Sequence, residues 1–247
     1  MLPRRALALT LPGLLAGLGK AARAASAVWV GHDIPPYLSR GVHGPDGYAF
    51  QLFRRVIKQA QVDAVLQIYP WARAWRMLQL GHAEGALVVT RSPERETQFR
   101  WLFPVGRFRF AVFTRPALGP VAGELSALKA LRIGALRASV GRGLLESAGI
   151  TQVVEGKDFV ELLALLEHGI VDAVIGPEPV LRAMDSRPGS EGLRITSLSQ
   201  VYDLYAVAGP TMSEERVRHI VAAYQHLVDS GVVAQLRKSH PEAAFSD

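Results

Sequence analysis

The dodecapeptide TRSPERETQFRW, Thr90 to Trp101, follows the apolar run GALVV and sets Arg91, Arg95 and Arg100 among two glutamates and a proline. Three guanidinium groups directly after a buried strand call for a partner. Asp33 and Tyr37, in DIPPY, flank the carboxyl end of another apolar run, the place where open α/β sheets hold ligands. There Asp33 suits either a cationic group or, before two prolines, a turn. A third stretch, GALRASVGRGLLESAG from Gly134 to Gly149, joins a strand, a small-residue turn and a helix start. Backbone N–H groups near Ser139, Val140 and Gly141 would open that helix and offer a modest anion site.

Other chemistries are excluded by what is missing. The chain has no cysteine, which removes disulfides, thiolate metal sites and cysteine nucleophiles. Its seven histidines (His32, His43, His82, His168, His219, His226, His240) never fall at the i, i+4 spacing that puts two ligands on one helix face. Neither a G-x-S-x-G elbow nor a Walker loop occurs. Gly141 and Gly143 lack the third glycine of a dinucleotide fingerprint. No metal and no cofactor are therefore expected.

Short apolar strands alternating with amphipathic helices must position these residues, the pattern of an α/β protein with largely parallel sheets. AVWVGHD, VDAVLQIYP and EGALVV read as strands. Phe53, Val56, Ile57 and Ala60 mark one intervening helix, and Trp71, Ala74, Trp75 and Leu78 another that stops at Gly81. FRFAVFTR, Phe108 to Arg115, reads as a long strand that ends in the proline and glycine cluster PALGPVAG. Beyond it the pattern restarts with LRIGAL. A helix follows, capped by Asp158 and Glu161 and ended by Gly169, then VDAVIG, VYDLYAVAG and a last helix ended by Gly231.

The chain has 247 residues, 49% of them apolar, and a formal charge of +6. The first 24 residues hold Arg4, Arg5, Lys20 and Arg23 and no acid, with an apolar stretch from Ala6 to about Gly19. They read as a secretory signal peptide, and the paired arginines are compatible with twin-arginine export. Its removal leaves 6 − 4 = +2, so the basic charge does not argue for nucleic acid. Without a cysteine for lipid attachment, the expectation is a released periplasmic protein.

Taken in order, DIPPY, GYAFQLF (Gly47 to Phe53), PWARAWRMLQLG (Pro70 to Gly81), RSPERE (Arg91 to Glu96), GIVDAVIG (Gly169 to Gly176) and LVDSGVVAQL (Leu227 to Leu236) run through nearly all of the mature chain. This series resembles the extracellular solute-binding proteins of family 3, the polar amino acid binding proteins of ABC transporters. The Pro-Trp-x-Arg-Ala segment is similar to one branch of that family. The resemblance implies a type II periplasmic binding fold: two α/β lobes joined by two hinge strands, with a ligand cleft between them. Residues 25–113 and 204–247 would form lobe 1 and residues 114–203 lobe 2.

It also implies roles. Arg95 occupies the place of the arginine that grips the ligand's carboxylate, and its planar fork suits that task. One charge-assisted bond contributes about 1.5 to 3 kcal/mol, short of the roughly 8 kcal/mol of a micromolar complex. Further contacts are needed. Trp71 stands where the family packs an aromatic ring on the ligand, the alternative being a core tryptophan. Arg73 is a second clamp or a solvated helix residue. Ser139 matches a carboxylate-holding position and also suits a helix N-cap. Where amino acid binders carry an acid for the ligand's ammonium, this chain has Pro177, with Glu178 adjacent. Either Glu178 substitutes, or it is a surface acid and the ligand lacks an α-ammonium.

The function implied is capture of a small carboxylate-containing ligand by a monomeric, non-enzymatic receptor that delivers it to an ABC permease. Two other classes stay open: a dehydratase-like enzyme using Glu178, and a periplasmic sensory or accessory module.

Overall fold

A computed structural model describes residues 27–185 and 192–243; the expected signal peptide lies outside the described residues. The chain runs β1 (Ala27–Gly31), β2 (Ser39–Gly41), β3 (Gly44–Asp46), α1 (Tyr48–Gln59), β4 (Ala64–Ile68), α2 (Trp71–Gln79), β5 (Gly85–Thr90) and β6 (Arg100–Thr114). It continues through β7 (Ile133–Leu136), α3 (Val140–Ser147), β8 (Val153–Gly156), α4 (Phe159–Glu167), β9 (Ala173–Pro177), α5 (Glu178–Asp185), β10 (Arg194–Ala208), α6 (Glu214–Asp229) and α7 (Val232–Lys238).

Eight strands form one mixed sheet in the order β4-β1-β5-β10-β6-β9-β7-β8. At each end lies a parallel trio, β4-β1-β5 and β9-β7-β8, in which the second strand in sequence is outermost and the first is central. Between them run β6 and β10, 15 residues each and antiparallel to each other. β10 pairs with β5 through Leu204 to Ala208, and β6 pairs with β9 through Phe110 to Thr114. β10 thus adjoins the first trio and β6 the second, and the pairing of β6 with β10 joins the two. This is the two-lobed architecture with two connecting strands.

The local chemistry explains the elements. Tyr48, Ala49, Leu52, Phe53, Val56 and Ile57 make one buried stripe on α1, and α6 and α7 pack against that helix. Phe159, Leu162, Leu163 and Leu166 do the same on α4, whose Asp158 cap accepts from the Glu161 amide at 2.8 Å. Gly81, Gly169 and Gly231 follow α2, α4 and α6 with φ of 73°, 72° and 75°, left-handed values that glycine adopts without Cβ crowding.

β6 and β10 each begin earlier than the apolar pattern indicates. The register between them slips between Ser197 and Val201, Leu204 and Tyr205, and Ala206 and Val207. Such bulges let a strand bend as it passes from one lobe to the other. Among the described residues no helix is long and apolar enough to cross a membrane.

Candidate functional site

The carboxyl ends of both parallel trios face a common gap. His32 follows β1, Val88 and Thr90 close β5, Leu136 closes β7, and Ile175 to Pro177 close β9; all line an inner cavity of about 30 Å³. That is room for a water or two. Through His32, Trp71, Leu136 and Phe159 the same wall continues into an outer cavity of about 230 Å³, which Asp33, Arg40, Tyr69, Lys157 and Asp158 also line.

The three arginines of the dodecapeptide part company here. Arg91 pairs with Glu96 at the surface and lies over Trp101 and Tyr205. Arg100 binds Glu214 and the backbone carbonyls of Gly209 and Met212, tying the start of α6 to β6. Arg95 alone goes inward. It ends a single 3₁₀ turn, Pro93–Arg95, is only 7% exposed, and lies with its guanidinium carbon 4.2 Å above the Trp75 ring and 5.5 Å from Trp71. Its N–H groups donate to Thr90 O at 3.3 Å and Ala138 O at 3.2 Å, and among the described residues no carboxylate hydrogen-bonds it. Burial, opposed by the charge of Glu94, pulls its pKa down to about 10, so it stays a cation at neutral pH.

Trp71 opens α2 and is buried; its Nε1 donates to the same Ala138 O at 3.0 Å. Two donors from the first lobe therefore meet one carbonyl of the second. Ala138 holds that carbonyl out with φ of 57°, a left-handed conformation that disfavours a residue with a Cβ. Val88, in the inner wall, has φ of 60°. Such strain gathers where function over-determines the backbone.

Ser139 caps α3, its Oγ accepting from the Arg142 amide at 3.2 Å, and it lines the inner cavity. Asp33 is exposed and lines only the outer cavity. Three other expected contacts lie elsewhere. Tyr37 is fully buried in the first lobe, its hydroxyl donating to Arg107 O at 3.3 Å, because β6 passes over it at Gly106. Arg73 points outward and stacks on Tyr69 at 4.3 Å. Glu178 accepts from Arg182 at 2.8 Å and Ser197 at 2.7 Å. Burial raises its pKa, but those hydrogen bonds outweigh it and hold the carboxyl below its usual range. Pro177 itself lines the inner cavity.

His32 and Trp75 were not singled out by the sequence. Trp75, which the helical spacing assigns to the core, is the ring beneath Arg95. His32 is 7% exposed, rests on Trp71 at 4.8 Å and, among the described residues, has no partner for Nδ1. Burial first and the charge of Arg95 second depress its pKa from 6.5 to about 3, so the ring is neutral. Its position straight after β1, where α/β ligand sites lie, was the available signal.

No family model and no curated protein matches the chain. Solved structures do. A histidine kinase sensor domain with similarity to periplasmic binding proteins superposes with a TM-score of 0.80 at 18% identity, covering 87% of this chain and 95% of that one. The arginine-, lysine-, histidine-binding protein ArtJ from Geobacillus stearothermophilus gives 0.76 at 19%, covering 87% and 94%. The GluR0 ligand-binding core from Nostoc punctiforme, in complex with L-glutamate, gives 0.73 at 19%, covering 86% and 98%. What the chain shares with them is the two-lobed fold of the periplasmic binding proteins.

Proposed function

We propose that the protein is a periplasmic solute receptor that closes its two lobes around a small carboxylate-bearing ligand and delivers it to an ABC-type permease. The observation that carries this reading is Arg95: a buried, charged guanidinium on an aromatic cradle, facing the gap with no carboxylate partner among the described residues. An unpaired buried cation is costly unless something anionic meets it. A ligand carboxylate would displace Ala138 O as the acceptor, exchanging a neutral hydrogen bond for a charge-assisted pair. Trp71 would pack on the ligand, and the Ser139 turn would close from the second lobe.

The lobe division 25–113, 114–203 and 204–247, export by residues 1–24 and the monomeric state belong to the same proposal. The packing of α6 and α7 on α1 supports the return of the C-terminal helices to lobe 1, and the pairing of β10 with β5 from Leu204 supports the second boundary; the pairing of β6 with β9 from Phe110 favours a first crossing near Gly106 to Arg109, slightly ahead of residue 113. Asp33, on the outer cavity, is proposed to touch only the far end of a ligand. Tyr37, Arg73 and Glu178 have other engagements, as their hydrogen bonds and stacking describe. An ionised Glu178 held by Arg182 and Ser197 gives little support to acid catalysis at that residue.

Native mass spectrometry of the protein taken from its own periplasm tests the reading. A stoichiometric small acid, absent from Arg95→Ala, is expected; the same compound retained in that variant contradicts it. The likeness to a sensor domain favours a second reading, in which the closed lobes signal to a membrane partner. Deletion of the receptor separates the two: transport predicts lost uptake of the ligand, and sensing predicts normal uptake with a lost transcriptional response.

A further inference from the structure

The inner cavity has an unequal inventory of charge. Arg95 is the one charged side chain on its described wall; the polar remainder is His32, Thr90 and Ser139, and no carboxylate reaches it. The strand end that could have supplied an acid carries Pro177, and the next residue, Glu178, is committed to Arg182 and Ser197. The acids Asp33 and Asp158 line the outer cavity instead, where Arg40 and Lys157 accompany them.

We propose that the ligand is a 2-oxo or 2-hydroxy monocarboxylate with an apolar body, and that the corresponding amino acid is rejected. The inference rests on the reading of Arg95 as a carboxylate clamp. An α-substituent sits one carbon from the carboxylate, so it stays beside Arg95, where the inner cavity has to widen as the ligand displaces Ala138 O and where no acid lines the described wall. A monoanion neutralises the guanidinium. A zwitterion brings an ammonium beside that same guanidinium and leaves a net positive charge against an inner wall with no described acid; Glu94 and Glu146 line a separate cavity that shares Arg95 and Ser139 but not His32 or Trp71.

A neutral oxygen at that carbon has a partner ready. His32 is more than nine-tenths buried, is held neutral on Trp71, and leaves Nδ1 unpartnered in the wall. A neutral imidazole donates to an oxo group or accepts from a hydroxyl, according to its tautomer. The ligand's body would then lie along Trp71, Leu136 and Phe159, which join the inner to the outer cavity.

The test is calorimetric titration of the purified protein with two matched series: phenylpyruvate, 3-phenyllactate, 3-phenylpropanoate and L-phenylalanine, then 4-methyl-2-oxopentanoate and L-leucine. The oxo or hydroxy acid is expected to bind at least ~10-fold tighter than its amino acid, a difference of about 1.4 kcal/mol. It should also bind several-fold tighter than 3-phenylpropanoate, and His32→Phe, which keeps a ring on Trp71, should erase that second preference alone. Equal or tighter binding of an amino acid, still lost in Arg95→Gln, overturns this inference and leaves the carboxylate receptor standing. Binding by no member of either series, when the periplasmic protein carries a non-acidic ligand, overturns both.

Discussion

The two walls of the gap are built differently. On the first lobe, polar groups are fixed by aromatic rings: Arg95 on Trp75 and Trp71, and His32 on Trp71. On the second, Leu136, Phe159, Ile175 and Pro177 form an apolar face, bordered by the Ala138 carbonyl that accepts from Arg95 and Trp71 and by a serine hydroxyl already capping α3. On the proposed function, recognition of charge is concentrated on one lobe, and the other contributes a surface that shuts. A ligand would therefore load on the first lobe and be enclosed by the second, with closure removing apolar area from water.

The sharpest break in this asymmetry is Arg95→Gln. It should weaken carboxylate binding by ~10 to 100-fold in calorimetry, the size of a charge-assisted bond, while the melting temperature of the ligand-free protein holds or rises because an unpaired buried charge is gone. A fall in that temperature would assign Arg95 a structural role instead.

Next in size is a pH effect from His32. Its folded pKa of about 3 lies below the unfolded value of 6.5, so only the unfolded chain takes up this proton as pH falls through 6.5. Its contribution to stability is complete above that value and is lost downwards, at up to about 1.4 kcal/mol per pH unit. Urea unfolding at pH 7, 6 and 5 should show the slope in the parent protein and a flatter one in His32→Phe.

Trp71→Phe keeps a ring but removes the Nε1 donor to Ala138 O. About 1 kcal/mol of lobe-to-lobe contact should go with it, seen as an opening of the ligand-free protein in small-angle scattering. The smallest effect belongs to Tyr37→Phe, which loses one long bond beneath β6; it should cost under about 1 kcal/mol in stability and leave ligand affinity alone.

The sequence displayed the scaffold more readily than the site because the scaffold is periodic. The helix stripes, the Asp158 cap and the stops at Gly81, Gly169 and Gly231 each depend on neighbours three or four residues away. The connecting strands were only half legible. Pro104 and Gly106 interrupt the apolar pattern of β6, and the solvent-facing first half of β10 reads as a loop. Pro104 sits at a register slip opposite Tyr205, and Gly106 lets Tyr37 close beneath the strand: a Cβ there would stand 2.9 Å from its ring.

Site residues are a matter of three-dimensional neighbours. Arg91, Arg95 and Arg100 are equivalent by composition, and only the resemblance favoured Arg95; the partners of the other two, Glu96 and Glu214, lie 5 and 114 residues away. His32 owes its neutral state first to burial, on a wall that includes Trp71, and then to the charge of Arg95, neither residue being adjacent in sequence. Tyr37 shows the converse: its place beside a ligand-bearing strand end suggested a contact, but the strand that crosses over it shuts it into the core.

The most direct measurement compares an acid with its uncharged amide, 3-phenyllactate against 3-phenyllactamide, titrated into the parent protein and into Arg95→Gln. A preference for the acid of ~10-fold or more in the parent, collapsing to near parity in the variant, is the result expected of a carboxylate clamp. The same preference in both proteins, or none in the parent, would contradict it.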